Sequence, residues 1–157
     1  MTPALLTLFR RHPVWDYGQA NLERLAARQV PRLTHVPIGY VPELTRILPA
    51  PEDIDVLFYG IYTKRRHAVL NALRGRGFRV EWLLNLYGAD RDALIARSKI
   101  VINMHQHDAQ VFEIVRVSYL LANRRTVVSE RGAHPTEEVD LESGSRSLPT
   151  RTWSIAV

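Results

Sequence analysis

The sequence lacks cysteine and long hydrophobic runs, and each absence excludes a class of protein. With no cysteine among its 157 residues, the chain forms no disulfide framework and no thiolate zinc site, and it has no cysteine nucleophile. No apolar run approaches the roughly 20 residues of a membrane helix. The apolar stretch from Pro3 to Phe9 is too short for a signal peptide and lacks its leading positive charge. We therefore expect a cytoplasmic protein without a transmembrane segment.

Standard glycine-rich motifs are also missing. The sequence contains no G-x-G-x-x-G, no G-x-x-x-x-G-K-[ST] and no G-x-S-x-G pattern. These absences disfavour a dinucleotide fingerprint, a P-loop and an α/β-hydrolase nucleophile. We predict no bound cofactor.

The composition describes a globular chain with a moderate excess of positive charge. Hydrophobic residues make up 46% and charged residues 24% of the chain, and the net charge is +5. A basic chain raises nucleic acid as a partner. However, the basic residues are dispersed, and the aromatic residues are not interleaved with them as in a stacking surface for single strands. A nucleic-acid-binding domain therefore stays a less favoured alternative.

Strand-like and helix-like segments alternate along the chain. Predicted strands cover 54–59, 78–84, 99–104 and 125–129, and predicted helices cover 63–74, about 90–96 and 112–122. This alternation predicts an α/β fold, with a Rossmann-like, mostly parallel sheet and helices on both faces. We expect a helical lead-in over 1–32, the Rossmann-like domain over 33–142 and an irregular tail over 143–157. Because the tail shows neither helical nor strand periodicity, we hypothesise that it is a frameshift product.

Glu113 is the strongest candidate for a ligand-binding residue. It stands where a predicted helix begins, after a buried strand and the polar loop that starts at His105. The first turn of such a helix is an anion site, and a carboxylate there can accept hydrogen bonds from a ribose diol. Alternatively, Glu113 only stabilises the helix N-terminus or pairs with Arg116 at i+3.

A basic cluster and a histidine pair are the other candidates. Lys64, Arg65 and Arg66 follow Gly60, and fixed cations would stabilise a departing diphosphate; the alternative is a solvated helix start. In an extended segment His105 and His107 would share one face, with Asp108 next to them. A catalytic metal site usually needs a third well-placed ligand and supporting groups, so we predict no metal there.

Together these features resemble the C-terminal, nucleotide-sugar-binding half of bacterial GT-B glycosyltransferases of the group 1 type. The resemblance covers roughly residues 14–142. The segments that carry it are Val14–Tyr17, Val36–Tyr40, Val56–Gly60 before a basic helix start, Ser98–Asn103, Phe112-Glu113, and Val127–Glu130.

The resemblance implies one half of a GT-B fold and a sugar-transfer reaction. The donor would be a nucleoside-diphosphate sugar, and the acceptor an unknown glycan, lipid or small molecule. It further implies that the acceptor domain is missing, so that the chain is inactive alone. A non-catalytic nucleotide- or protein-binding module is the alternative.

The same resemblance assigns roles to individual residues. Glu113 would contact the donor ribose, and the cluster Lys64, Arg65 and Arg66 would bind the diphosphate. Gly60 and Arg116 complete the predicted substrate-binding set, and His105 is the predicted catalytic residue near the donor sugar. Many retaining members carry E-x7-E where this chain has H-x7-E, so the stereochemistry stays open.

Overall fold

The computed structural model describes residues 1–106 and 112–132. Two predicted features lie outside these residues: His107 and Asp108 of the histidine pair, and the irregular tail at 143–157. The chain divides into two compact units, Met1–Gly39 and a second one that begins at Tyr40.

The first unit combines two helices with a two-stranded sheet. Its elements are α1 (Pro3–Arg11), β1 (Val14–Asp16), α2 (Gln19–Ala26) and β2 (Leu33–His35). The strands pair in parallel, and Leu22, Leu25 and Val30 are buried. The predicted boundary after residue 32 would assign β2 to the next domain. In the structure β2 belongs to the first unit because it pairs with β1.

The second unit holds a four-stranded parallel sheet. Its elements, after a 3-10 turn at Pro42–Leu44, are β3 (Ile54–Tyr59), α3 (Lys64–Gly75), β4 (Val80–Leu83), α4 (Gly88–Ala96), β5 (Ser98–Asn103), α5 (Ile114–Ala122) and β6 (Val127–Ser129). The strand order is β4-β3-β5-β6, and every pair is parallel. The predicted α/β fold with a parallel sheet is therefore confirmed.

Apolar residues of the sheet pack on both of its faces. Because side chains alternate along a strand, Leu57 and Phe58 of β3 belong to different clusters. Leu57 packs in the cluster that α4 and α5 supply, which includes Ile95 and Leu120. Phe58 packs in the cluster on the α3 side, which includes Leu70. Helices therefore cover both faces, as predicted.

The parallel arrangement brings three strand ends to one edge of the sheet. Gly60, Met104 and Glu130 directly follow β3, β5 and β6, which are neighbours in the sheet. Ligands of such sheets bind outside the carboxyl ends of the strands. In the part of the chain that the structure describes, no helix has the length and apolar character needed to span a membrane.

Candidate functional site

Four of the predicted site residues meet where β3 and β5 end. The Glu113 carboxylate lies between two guanidinium groups, with its Oε2 2.8 Å from Arg116 Nη1 and its Oε1 3.6 Å from Arg66 Nη2. A Cβ atom placed on Gly60 would lie 3.5 Å from Arg66 Nη1 and 3.7 Å from Arg116 Nη2. The residues predicted from separate parts of the sequence thus form one cluster around Glu113.

Gly60 provides space for the cluster rather than groups that bind a ligand. Its N–H donates to the Leu83 carbonyl at 3.2 Å, and its carbonyl accepts from Trp82 Nε1 at 2.9 Å. Its φ is +152°, in a region that is essentially restricted to glycine. A Cβ there would lie 3.1 Å from Phe58 Cζ. The glycine therefore permits both the backbone conformation and the close approach of the guanidinium groups.

Arg66 is a buried cation that joins two loops. Its side chain is only 2% exposed, and it donates to the Ile61 carbonyl at 3.0 Å and to the Met104 carbonyl. Its Cζ lies 5.0 Å from the centroid of the Phe58 ring. Burial lowers the pKa of Arg66, and the negative charge of Glu113 opposes that effect. Arg66 thus positions the loops after β3 and β5 and contributes positive charge from beneath the site.

Arg116 is anchored through one nitrogen of its guanidinium group. Its Nη1 donates to Asn103 Oδ1 at 3.0 Å, and the buried Asn103 amide donates to Ser129 Oγ at 3.0 Å. Its side chain is 18% exposed. Among the described residues, Nε and Nη2 of Arg116 have no hydrogen-bond acceptor. Arg116 is therefore fixed through Nη1.

Arg65 and His105 are both tied to Glu130 at the end of β6. Arg65 pairs with the Glu130 carboxylate through both terminal nitrogens and donates to the His105 carbonyl at 2.7 Å. The His105 N–H donates to Glu130 Oε2 at 2.7 Å. The His105 ring, 3% exposed, donates from Nε2 to the Arg131 carbonyl at 2.9 Å. The predicted catalytic residue is thus buried in a network that Glu130 organises.

The basic cluster predicted as a single clamp separates into three environments. Lys64 is exposed at the start of α3 and forms no ion pair with the residues described. Arg65 reaches Glu130, whereas Arg66 is buried beside Glu113. With Arg116, three arginines accompany the two carboxylates Glu113 and Glu130, which leaves one positive charge in excess. Such a balance suits an anionic ligand.

Glu130 is held in its ionised form by its surroundings. Burial raises the pKa of Glu130, but the Arg65 guanidinium, the His105 N–H and the nearby positive charges outweigh it, and the pKa is lowered. A carboxylate with a lowered folded-state pKa stabilises the fold above its unfolded pKa of about 4.3, and this contribution is lost as the pH falls through the folded-state value.

We therefore expect the Glu130→Gln substitution to weaken the fold in a pH-dependent way. At pH 7 it should lower the free energy of unfolding by about 1 kcal/mol, since the ion pair is partly exposed. As the pH falls through the folded-state pKa of Glu130, the difference should shrink. Urea denaturation of both proteins at pH 7 and over a series of acidic pH values measures this. An equal difference at every pH would contradict the assigned role of the charge.

Sequence reasoning missed several residues of the site. Asn103 and Glu130 each stand at or directly after the end of a strand, and that position was the available signal. The sequence does not indicate the contact of Trp82 with the site. Its Nε1 donates to the carbonyl of Gly60, which lies 22 positions earlier in the chain. Within residues 1–106 and 112–132, no group of three side chains is placed to hold a metal ion.

Comparison with known proteins identifies distant relatives without a described activity. Three similar proteins come from Acanthamoeba polyphaga mimivirus: "Uncharacterized protein L140" (31% identical over 121 residues, 73% of this chain and 40% of the relative), "Uncharacterized protein L138" (27% over 125 residues, 75% and 14%) and "Uncharacterized protein L137" (27% over 121 residues, 73% and 16%). The chain spans less than half the length of each of them. No protein-family model matches the chain, and no solved structure matches it.

Proposed function

We propose that the chain is the donor-binding half of a glycosyltransferase. It would bind a nucleoside-diphosphate sugar at the edge where β3 and β5 end, and an acceptor-binding domain would complete the transfer. The observation that carries this proposal is the Glu113 carboxylate between Arg66 and Arg116, directly beside Gly60. A carboxylate among cations, at the ligand-binding edge of a parallel sheet, offers both partners that a ribose diphosphate requires.

Glu113 would take the ribose, and the exposed cations would take the diphosphate. The Glu113 side chain is 29% exposed, and a carboxylate has about four lone-pair sites, so it can accept ribose hydroxyls while it pairs with Arg116. Nε and Nη2 of Arg116, for which the described residues offer no acceptor, are suited to phosphate oxygens. Lys64 adds an exposed charge. During transfer these cations would stabilise the negative charge that builds on the leaving diphosphate.

A non-catalytic nucleotide-binding module is the second candidate. The burial of His105, whose ring donates to the Arg131 carbonyl, favours it, because the predicted catalytic side chain is occupied within the protein. Titration with a nucleoside-diphosphate sugar and with the matching nucleoside diphosphate separates the two. Tighter binding of the sugar nucleotide would support the donor-binding half of a transferase, which has to contact the transferred sugar. Equal affinities for the two ligands would favour the module.

The ribose contact is tested by calorimetric titration with UDP and 2′-deoxy-UDP. For the wild type we expect tighter binding of UDP, because Glu113 accepts a hydrogen bond from the 2′-hydroxyl. The Glu113→Ala substitution should weaken UDP binding at least tenfold, as expected for lost charge-assisted hydrogen bonds, and should remove the difference between the two ligands.

The matched control for this titration is Glu81→Ala, which removes an exposed glutamate of β4. It should bind UDP as the wild type does. If the wild type bound neither nucleotide, or if both variants bound UDP equally, the donor-site proposal would be wrong.

A further inference from the structure

The arginines of the first unit lack acidic partners. Five arginines and only two acidic residues, Asp16 and Glu23, lie within Met1–Gly39. Asp16 accepts from the Gly18 N–H at 2.7 Å, and Glu23 accepts from the Gln19 amide at 3.3 Å. None of the five arginines forms an ion pair with the residues that the structure describes, whereas seven arginines of the second unit do. The five arginines are Arg10, Arg11, Arg24, Arg28 and Arg32.

Hydrogen bonds to backbone carbonyls bring these arginines together, and we call them the arginine patch. Arg10 Nη2 donates to the Arg28 carbonyl at 2.9 Å, and Arg28 Nη1 donates to the Arg24 carbonyl at 3.3 Å. Arg32 Nη2 donates to the Arg11 carbonyl. All five side chains are exposed. The negative end of the α2 dipole, equivalent to about half an elementary charge, is too small to balance them. The patch is therefore suited to an anionic partner.

Helix α1 adds exposed apolar side chains next to the arginine patch. None of its residues is buried, and Leu5 and Leu8 are 39% and 52% exposed. Residues three positions apart are neighbours on a helix surface, so Leu5, Leu8 and Arg11 form one row along α1. Leu6 and Phe9, which are half-buried, lie on the other apolar row. The exposed leucines thus adjoin the patch at the end of α1.

We propose that the first unit binds the surface of a membrane that contains anionic lipids. The headgroup phosphates would supply the negative charge that the arginine patch lacks, and the apolar layer beneath them would take up Leu5 and Leu8. Basic and apolar side chains combined on one helix are typical of a segment that lies in the membrane interface. The inference goes beyond the proposed donor site, which belongs to the second unit.

The exposed leucines favour a membrane over a nucleic acid. Nucleic acids also bind arginines through their phosphates, but their hydrated backbone offers no apolar layer to aliphatic side chains. A membrane surface offers phosphates and an apolar layer together. The contribution of Leu5 and Leu8 to binding therefore distinguishes the two ligands.

Co-sedimentation with lipid vesicles tests the inference. The wild type should bind vesicles of equal parts phosphatidylcholine and phosphatidylglycerol about tenfold more tightly, or more, than vesicles of phosphatidylcholine alone. The double substitution Arg11→Gln/Arg24→Gln removes two cations whose side chains form no hydrogen bond with the described residues. It should weaken binding to the mixed vesicles about twentyfold, since each arginine at an anionic surface contributes about fivefold.

The matched control is Arg76→Gln/Arg124→Gln. It lowers the net charge by the same amount through two exposed arginines of the second unit, and it should bind the mixed vesicles as the wild type does. Both double variants should keep the wild-type melting temperature. Equal losses of vesicle binding in the two would show an effect of net charge alone and would overturn the inference, as would the absence of binding by the wild type.

The double substitution Leu5→Gln/Leu8→Gln tests the apolar contribution. It should weaken binding to the mixed vesicles about tenfold or more, whereas Leu48→Gln/Leu84→Gln, which alters two exposed leucines of the second unit, should not. Unchanged vesicle binding in Leu5→Gln/Leu8→Gln would refute the inference. If the wild type then bound a single-stranded oligonucleotide, the patch would be a nucleic-acid surface instead.

Titration of the same variants with UDP keeps this inference separate from the proposed function. The patch and the exposed leucines belong to the first unit and the donor site to the second, so each variant should bind UDP as the wild type does. Loss of UDP binding together with vesicle binding would contradict the assignment of a separate surface. Failure of the wild type to bind UDP would refute the donor site and leave the membrane surface intact.

Discussion

The Arg66→Met substitution is expected to lower the free energy of unfolding by about 3 kcal/mol. It would leave the carbonyls of Ile61 and Met104 without their donor and remove the positive charge beside Glu113. Each effect alone is substantial for a buried group. Since the same guanidinium ties the loops after β3 and β5 together, the variant should also lose affinity for nucleoside diphosphates.

Urea denaturation of three variants isolates the role of this buried cation. Arg66→Lys should fall between the wild type and Arg66→Met, because it keeps the charge and loses the planar fork that reaches two carbonyls. Arg76→Met removes an exposed arginine just after α3 and should leave the stability nearly unchanged. Equal stabilities of Arg66→Met and Arg76→Met would show that the buried guanidinium contributes nothing.

The Gly60→Ala substitution is expected to lower the free energy of unfolding by about 2 kcal/mol and the affinity for UDP more than tenfold. The backbone at φ +152° is strained for any residue with a Cβ. The new methyl group would also lie 3.1 Å from Phe58 Cζ and within van der Waals contact of Arg66 and Arg116. Displacing these two guanidinium groups alters the charges around Glu113, which is why the affinity should fall together with the stability.

Substitutions at two other glycines distinguish backbone strain from steric contact as the cause of these effects. Gly77 has φ +89°, and an added Cβ would meet no atom within 4 Å, so Gly77→Ala measures backbone strain without a steric contact. Gly75 lies in α3, and a Cβ there would also meet nothing, so Gly75→Ala should be neutral or slightly stabilising. UDP affinity should fall only in Gly60→Ala. A similar loss in Gly77→Ala would refute the local explanation.

Much of the sheet could be predicted because its signals are local. The apolar run of β3 ends at a glycine, and the predicted strand 54–59 coincides with Ile54–Tyr59. The predicted strand 78–84 is shorter in the structure, Val80–Leu83, because the Phe78 N–H donates to the Leu73 carbonyl and belongs to the turn that closes α3. Hydrophobic pattern alone does not reveal such a backbone hydrogen bond.

The site was predictable only in part, because it depends on contacts between distant residues. Lys64, Arg65 and Arg66 are adjacent in sequence, but successive residues of a helix point about 100° apart, so their side chains separate. Arg65 is 65 positions from its partner Glu130. The Tyr59 hydroxyl, which is buried without a hydrogen-bond partner among the described residues, could not be predicted from the sequence, because its pairing depends on the acceptors that neighbouring elements provide.

The position of β6 has a consequence for how often the site is assembled. It is a three-residue strand at the end of the described sheet, and Glu130, which follows it, fastens Arg65 and the His105 backbone. Short peripheral strands open locally at a lower free energy than central ones. Each opening of β6 would break both of these contacts with Glu130 together. A ligand that binds only the assembled form would slow amide hydrogen exchange in β6.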